Sequence, residues 1–408
     1  MSNWQQLRLK ADSASVLFAV GEIVKVEAMH KTTDIYGPIP YTRFGLETPV
    51  PYDSQEAVYM RFFAELNHAI GVLTNFDKFN PNAKPLDKFD LIYGSDLKKW
   101  IRFANSLKLR LAMRCRAVYD GAQKLAEEAV NNPYGVLEDN ADNAVMQTVG
   151  ALSFTYNNPF YNIYSPEGYN EDRMGATMDA YLNGFADPRL PKFFAKAKGD
   201  VYRGLRNGMR SGKDFQGDER LSMPTITRST PYVWMTAAEV WLLRAEGALF
   251  GWNMGGTPRE LYEQGITTSL DQYGLADAAE AYLASTAKPS AYPGLGTSTA
   301  AEAPSDITPA WDESATKEKK LERIITQKWI AIYPLGQEAW SEYRRTGYPK
   351  LFPVVDNLSN GKVNTNVQVR RVPFPASEYS GNKQEVEKAV QLLGGEDTGG
   401  TRLWWDKQ

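Results

Sequence analysis

The chain has 408 residues, which is enough to bury a large hydrophobic core and would ordinarily divide into two or three lobes. Hydrophobic residues make up 43% of the sequence, a fraction typical of globular proteins, which excludes wholesale disorder. The 46 basic and 49 acidic residues are well mixed and give a net charge of −3, so charge favours neither a nucleic acid nor an anionic membrane surface as a partner. No apolar run approaches the roughly 18 residues that span a bilayer.

Helical periodicity dominates the first third of the chain. Residues 12–33 form one predicted helix, and Ser54 is a suitable N-cap for the next. The apolar residues of this second helix recur along one face, at Val58, Phe62, Leu66, Ile70 and Leu73. Two successive antiparallel helices indicate a tetratricopeptide-like packing unit.

A long helix begins after Asp96, another good N-cap. We predict that its Lys and Arg residues mostly lie outside the buried stripe and that Cys115 is an inert buried thiol. A shorter helix follows over residues 122–131. The predicted buried face of the long helix contains Trp100, Phe103, Ala104, Leu107, Leu111 and Val118.

Residues 150–231 are dense in Gly, Pro, Asn and aromatic residues, and the pattern there predicts only one good helix, over Ala176–Gly184. In this stretch aromatic rings alternate with amides. Rings offer flat apolar faces and amides offer paired donors and acceptors, a combination that suits a sugar. The alternative, that the rings pack beneath the loop as a small satellite core, stays open. The predicted ligand-binding residues are Tyr156, Asn157, Asn158, Phe160, Tyr161, Tyr164, Tyr169, Arg173, Tyr202 and Arg206.

Helical patterns return over residues 236–251 and 258–274, and the first of these carries small Ala residues that allow close helix–helix contact. Residues 321–349 then predict two helices joined by a bend at Pro334 and Gly336, ending at Gly347 and Pro349. We call this stretch the helical hub. Its rings, Trp329 among them, are interspersed with charges that must pair or reach water.

We predict four regions within one compact folding unit. They are an N-terminal helical region (1–149), a loop-rich aromatic region (150–230), a region around the helical hub (231–351) and a C-terminal cap (352–408).

The sequence contains no stretch that fully matches the dinucleotide-binding or phosphate-binding loop patterns. The stretch GLGTST at Gly294 lacks the third glycine of a dinucleotide loop, and GMRSGKD at Gly208 has the wrong spacing for a phosphate loop. His30 and His68 are the only histidines, each alone on a helix, so we expect structural or solvent-facing roles for both and predict no metal and no cofactor.

Carboxylate chemistry needs separate consideration, because acidic residues in the loop-rich region could converge into a glycosidase pair. The candidates are Asp172, Asp214, Asp218 and Glu219. No spacing among them makes such a pair specific, and solvated loop charges are the better interpretation.

Several blocks, taken in order, resemble the SusD/RagB group of nutrient-binding outer-membrane lipoproteins. They begin with YGPIPY at residues 36–41 and YGSDLKKWIRFANSLKLRLAMR at residues 93–114. They continue with ADPRLPKFF at 186–194, TAAEVWLLRAEGALFGW at 236–252, QKWIAIYPLGQEAWSEYRRTGYP in the helical hub, and RVPFPASEYSGN at 371–382. The closing LGGEDTGGTRLWWD is similar to the tail of one subgroup, so the resemblance covers nearly the whole chain.

The resemblance implies a mainly α fold, a tetratricopeptide-like helical superhelix with a loop-rich binding face and minor β structure. It implies non-enzymatic capture of oligosaccharide or polysaccharide at the outward face of the outer membrane, for import through a TonB-dependent SusC-like transporter. Two alternatives are an oligopeptide-capturing relative of the same family and, from another class, a glycosidase on a helical scaffold.

Members of this family begin with a lipoprotein signal and a lipidated cysteine, followed by further helices before the block that YGPIPY resembles. We therefore expect this chain to be truncated at its start, with membrane attachment only through an N-terminal lipid anchor that it lacks. Because ligand residues vary between family members, the resemblance gives the binding face, and the residues assigned to it come from the aromatic content of the loops.

Overall fold

The computed structural model describes residues 2–148, 157–208 and 215–407. Helices dominate these ranges, and the predicted mainly α class with minor β structure is confirmed. The helices are α1 (Ser2–Lys10), α2 (Val16–Tyr36), α3 (Gln55–Phe79), α4 (Leu97–Arg114), α5 (Ala122–Val130), α6 (Tyr161–Tyr164), α7 (Ala176–Gly184), α8 (Leu190–Phe193), α9 (Ala237–Leu249), α10 (Pro258–Asp271), α11 (Ala279–Leu283), α12 (Lys317–Ala331), α13 (Gly336–Thr346), α14 (Ala376–Gly381) and α15 (Lys383–Leu393).

The β structure is a two-stranded antiparallel sheet of β1 (Ala144–Met146) and β2 (Tyr232–Met235). Met146 pairs with Tyr232 and Val145 with Val233, and an irregularity separates Val145 from Ala144. In the described part of the chain, no helix is both long enough and apolar enough to cross a membrane.

Side-chain caps set where the main helices begin. Ser54 accepts a hydrogen bond from the Ala57 backbone N–H at 3.2 Å, and Asp96 accepts from the backbone N–H groups of both Lys98 and Lys99. Both predicted caps are confirmed. Helix α2, which we predicted from residue 12, begins at Val16 because Ser15 is its N-cap.

The chain forms two compact units, and the predicted division into four regions within one folding unit stays a prediction. The first unit contains Met1–Leu137, Trp340–Thr346 and Ser359–Gln408. Its helices α2 and α3 contact one another with residue 22 opposite 68, 25 opposite 65 and 34 opposite 59, so the two helices run antiparallel as predicted.

Buried cations in α4 correct one expectation. Lys108, Arg110 and Arg114 are all buried, although we predicted that Lys and Arg residues would mostly lie outside the apolar stripe. Each has an acidic partner elsewhere in the unit: Arg114 Nη1 lies 2.8 Å from Glu342 Oε1, and Arg110 Nη1 lies 3.4 Å from Glu27 Oε2. Pairing of this kind is what makes burial of a charge tolerable. The α4 helix also ends at Arg114, so Val118 lies beyond it and is only half-buried.

The second unit contains Glu138–Ala339 and Gly347–Leu358. Helix α9 packs against α10 and α12. The approach to α10 is close, because a Cβ atom added to Gly265 would lie 2.6 Å from Leu242 Cγ. Ala237, Ala238 and Ala245 of α9 are buried, in agreement with the predicted role of small residues there.

The helical hub forms α12 and α13, and Gly347 has the left-handed φ of +73° expected after a helix C-terminus. Lys328 is fully buried between Glu239 and Glu338, with its Nζ 3.5 Å and 3.4 Å from their Oε1 atoms. The hub's charges therefore pair, as its sequence required. Trp340 is half-buried, and its Nε1 donates to the Val369 carbonyl oxygen at 3.0 Å.

Candidate functional site

At the start of the predicted binding loop, the side-chain amide of Asn158 makes hydrogen bonds within the protein. Asn158 is 2% exposed, and its backbone N–H and Nδ2 donate to the carbonyl oxygens of Arg228 and Thr230 at 3.0 and 3.1 Å. Its Oδ1 accepts from the Phe160 backbone N–H at 3.0 Å. Asn158 thus fixes the start of the loop and turns the following rings into place. We call residues 157–173 the aromatic segment.

The short helix α6 holds two tyrosines of different exposure. Tyr161 is half-buried, with the Arg228 guanidinium 5.2 Å from its ring centre. Tyr164 meets Tyr161 edge to face at 5.9 Å and is only 6% exposed. Burial, with a smaller contribution from Tyr161, raises the pKa of Tyr164 to about 12. Tyr161 therefore presents ring surface, whereas Tyr164 packs beneath it.

Tyr169 is the most open ring among the predicted site residues that the structure describes, with 68% of its surface exposed. Its backbone is nevertheless held, since its N–H donates to the Asn162 carbonyl oxygen at 2.8 Å and its own carbonyl oxygen accepts from Gln216 Nε2 at 2.9 Å. The neighbouring Gly168 is required sterically, because a Cβ atom there would lie 2.0 Å from the Asn162 carbonyl oxygen. The segment thus presents an exposed ring on a fixed backbone.

Arg173 ends the aromatic segment. Its Nη2 donates to Asn170 Oδ1 at 2.7 Å and its Nη1 to the Asp172 carbonyl oxygen at 2.8 Å. Its Nε has no hydrogen-bond partner among residues 2–148, 157–208 and 215–407. Partial desolvation lowers the pKa of the guanidinium, which stays charged at neutral pH. Arg173 therefore fixes the end of the segment, and its buried Nε is not accessible to a ligand.

Tyr202 and Arg206 lie on a segment that runs beside the end of the aromatic segment. Gly175 and Leu205 form a parallel bridge, with the Leu205 N–H donating to the Met174 carbonyl oxygen at 2.9 Å. Arg206 braces this region, since its Nη2 donates to the Pro353 carbonyl oxygen at 2.8 Å and its guanidinium lies over the Phe352 ring. Tyr202 is half-buried.

The structure thus places Leu205 beside Met174, just after the aromatic segment, and the ligand role of the predicted residues stays a prediction. Tyr156 lies outside the described residues. Burial of Asn158 and Tyr164 assigns both to packing in this conformation. Asn157 is half-buried, and Phe160 is half-buried with its ring 5.7 Å from that of Tyr232.

Three residues that were not predicted from the sequence lie beside the aromatic segment: Arg228, Tyr232 and Tyr333. Arg228 and Tyr232 contact the aromatic segment through Tyr161 and Phe160. Tyr333 lies near Tyr164, and burial, with smaller contributions from Tyr273 and Tyr164, raises its pKa. No local pattern marked these residues, because each is distant in sequence and Tyr333 falls within the helical hub.

Two of the candidate acidic residues, Asp218 and Glu219, are paired with basic side chains. Asp218 is bound by Arg220, with Oδ2 2.6 Å from Nη2, and this hydrogen bond lowers the pKa of Asp218. Glu219 pairs with Lys198. Asp172 is exposed, although partial desolvation raises its pKa, and Asp214 lies outside the described residues.

The histidines and the cysteine occupy structural positions. His30 is buried with Nδ1 3.1 Å from the Val26 carbonyl oxygen, and His68 Nδ1 lies 2.5 Å from Glu22 Oε2. Cys115 is fully buried, as predicted. Burial raises the pKa of its thiol to about 12, the opposite of what a nucleophile needs.

Tyr169 is exposed and Phe160 and Tyr161 are half-buried, so the aromatic segment presents ring surface that suits a hydroxylated chain molecule. Ring faces contact C–H groups, and the polar groups accept or donate directional hydrogen bonds. The sequence of the whole chain matches the SusD-like family, described as Susd and RagB outer membrane lipoprotein, over residues 1–406. The chain belongs to the SusD-like family.

Solved structures of SusD homologs agree. A chitin-binding SusD homolog from Flavobacterium johnsoniae is 42% identical, with a TM-score of 0.93, and the match covers 100% of this chain and 84% of that one. A SusD homolog from Bacteroides uniformis is 43% identical, with a TM-score of 0.90, over 96% of this chain and 82% of its own. A SusD homolog from Parabacteroides distasonis is 26% identical, with a TM-score of 0.81, over 99% of this chain and 84% of its own.

The family and the fold predicted from the sequence blocks are thereby confirmed. The family's own description as an outer membrane lipoprotein assigns its members to that membrane. No curated protein is similar enough to match the chain.

Proposed function

We propose that this SusD-like protein captures glycan at the outward face of the outer membrane and delivers it to a TonB-dependent transporter of the SusC type. The observation that carries the proposal is the 42% identity, over the full chain, to a SusD homolog that binds chitin. The protein acts by binding alone, and it changes no covalent bond of its ligand.

The aromatic segment supports this proposal. Tyr161 and Tyr169 offer accessible ring surface, and a sugar stacked on such a ring buries C–H groups against it. Because backbone hydrogen bonds already fix the segment, little conformational entropy is lost when a ligand binds.

The carboxylates favour binding over hydrolysis. A glycosidase needs a general acid with a raised pKa opposite a second carboxylate. Asp218 has a lowered pKa because of its bond with Arg220, and Glu219 pairs with Lys198. Of the described candidates Asp172, Asp218 and Glu219, Asp172 has a raised pKa, and one such acid is not a hydrolytic pair.

Calorimetry and a reducing-end assay on the same preparation test the proposal. We expect saturable binding to at least one member of an oligosaccharide panel headed by chitin oligosaccharides, with no release of reducing ends. Release of reducing ends in proportion to enzyme and time would establish the glycosidase instead. Binding of tryptic peptides with none of the glycans would establish oligopeptide capture.

The transporter partnership has its own test. The protein, tagged at its C-terminus in its native host, should co-purify from detergent-solubilised outer membranes with a TonB-dependent transporter. Deletion of that transporter should abolish growth on the bound glycan while leaving binding by the purified protein unchanged. Growth that is indifferent to the transporter would contradict the partnership.

A further inference from the structure

A cavity of about 250 Å³ lies in the first unit, between α1, α2, α3 and the loop at residues 41–44. This volume lies just below the roughly 300–1,000 Å³ typical of small-molecule pockets, so it suits one small molecule. Its residues do not belong to the aromatic segment, which lies in the second unit.

The walls of this cavity, which we call the α1 pocket, are held in place by several contacts. Gln5 Nε2 donates to the Gly45 carbonyl oxygen at 3.0 Å, which ties α1 to the loop. Asp53 accepts from the Thr42 backbone N–H at 2.7 Å and from the Tyr41 backbone N–H at 3.1 Å. The Trp4 ring lies 5.1 Å from that of Phe18, so α1 is also anchored on α2. The site is therefore formed before any ligand binds.

An internal charge cluster forms the floor of the α1 pocket. Lys25 Nζ lies 4.1 Å from the Trp4 ring centre, 4.8 Å from that of Tyr41 and 2.7 Å from Glu65 Oε1. Glu65 also accepts from Tyr41 Oη at 2.5 Å and from Arg61 Nε at 2.8 Å. Glu65 thus has three donors, and its negative charge is satisfied within the protein.

The remaining charge in the α1 pocket is positive. Arg8 lines it and has no ion-pair or hydrogen-bond partner within the described ranges of the chain. Arg8, Lys25 and Arg61 face the two carboxylates Glu22 and Glu65, which leaves one cation in excess. Glu22 Oε2 lies 2.5 Å from His68 Nδ1, and burial is the main cause of the raised pKa of Glu22.

The rings complete the chemistry of the site. Trp4 and Phe44 are half-buried and line the α1 pocket, so each keeps part of its ring accessible. A planar guanidinium beside aromatic faces matches a carboxylate joined to a ring with apolar C–H groups. Glu22, which also lines the cavity, offers a hydrogen-bond partner to a hydroxyl group.

We propose that the α1 pocket binds a small hydroxylated carboxylate, of the size of one sugar acid, with Arg8 as its carboxylate-binding residue. The probe is free glucuronate, compared with glucose, which has the same ring without the charge. Titration calorimetry on the full chain should show saturable binding of glucuronate, and glucose should bind at least about tenfold more weakly because it lacks the charge-assisted bond to Arg8.

Three variants test which residues of the α1 pocket affect glucuronate binding. Arg8→Gln should weaken glucuronate binding by at least about tenfold, and Glu22→Gln should strengthen it, because that change removes a negative charge from the wall. Lys10→Gln is the matched control, since Lys10 is exposed on the same helix and does not line the pocket, and it should change nothing. Melting temperatures of all three verify the fold.

The proposal is overturned if glucuronate gives no saturable heat, if glucose binds equally well, or if Arg8→Gln and Lys10→Gln behave alike. Oligosaccharide binding at the aromatic segment is measured on the same variants and should be unaffected by all three. A failure of the proposed function and a failure of the α1 pocket are therefore separately visible.

Discussion

Two tyrosines only five positions apart should respond to the same substitution in opposite ways. Tyr169 is 68% exposed and Tyr164 is 6% exposed. We expect Tyr169→Ala to leave the melting temperature unchanged and to weaken glycan binding by about 1–3 kcal/mol, by analogy with the stacking of bases on aromatic side chains. Tyr164→Ala should instead destabilise the fold by about 3 kcal/mol, because it removes a buried ring.

Calorimetric affinity and melting temperature, measured on the same preparations, check this pair. If Tyr169→Ala lowers the melting temperature and leaves affinity intact, the exposed ring is a packing residue and the binding face lies elsewhere.

Cys115 allows a test of the packing of α4. The thiol is buried and its pKa is raised to about 12, so at about pH 8 only about one thiol in ten thousand is ionised. We expect no reaction of the native protein with a thiol-specific disulfide reagent over hours. One equivalent should react on unfolding in guanidinium chloride, because the chain has a single cysteine. Rapid labelling of the native protein would show that the end of α4 opens.

At the scale of helices, the sequence identified two local determinants and missed a third, Ser15, which caps α2 at Val16. The caps Ser54 and Asp96 each lie within three residues of the N–H groups they accept from, so both could be predicted. The burial of Arg114 could not be, because its partner Glu342 lies 228 residues away. From sequence alone, a charged residue on a helix is predicted to be solvent-exposed, because its distant partner is not visible.

The Asp96 cap predicts the effect of a substitution at the start of α4. Asp96→Ala removes the acceptor for two backbone N–H groups and should lower the free energy of unfolding by about 1 kcal/mol. Asp96→Asn, the matched variant, preserves an acceptor and should cost less. Urea unfolding followed by circular dichroism measures both. Equal losses for the two variants would show that charge, and not the cap hydrogen bonds, is what matters at this position.

Two glycines predict opposite changes when each is replaced by alanine. A Cβ atom on Gly204 would lie 2.5 Å from the Gly175 carbonyl oxygen, inside the pairing that joins the 174–176 and 204–206 stretches, so Gly204→Ala should cost about 1–3 kcal/mol. Gly71 lies within α3 with open space around it, so Gly71→Ala should stabilise by about 0.5–1 kcal/mol. Thermal unfolding of both variants is the measurement. A neutral Gly204→Ala would contradict the close approach of these two backbones.

At the scale of the whole molecule, the fold was predictable and the site only partly so. The fold follows from periodic helices and from blocks spread along the chain. The aromatic segment lacks such a period, because irregular backbone does not assign alternate residues to one face. Nothing in the order Tyr161, Tyr164, Tyr169 shows which ring is buried. Residues distant in sequence cover part of the segment after folding: Tyr232 contacts Phe160, Arg228 lies over Tyr161, and Tyr333 lies near Tyr164.

The proposed function also requires a particular position in the cell. Capture before transport works only if the binding face meets the medium, so the native protein should fractionate with the outer membrane and be digested by proteinase K added to intact cells. A periplasmic protein monitored in the same samples should stay intact, which establishes that the outer membrane is closed. Immunoblots of the fractions, before and after permeabilisation, are the readout. Recovery in the cytoplasm, or digestion only after permeabilisation, would contradict glycan capture at the surface, because a protein on the inner side of the membrane would meet its ligand only after import.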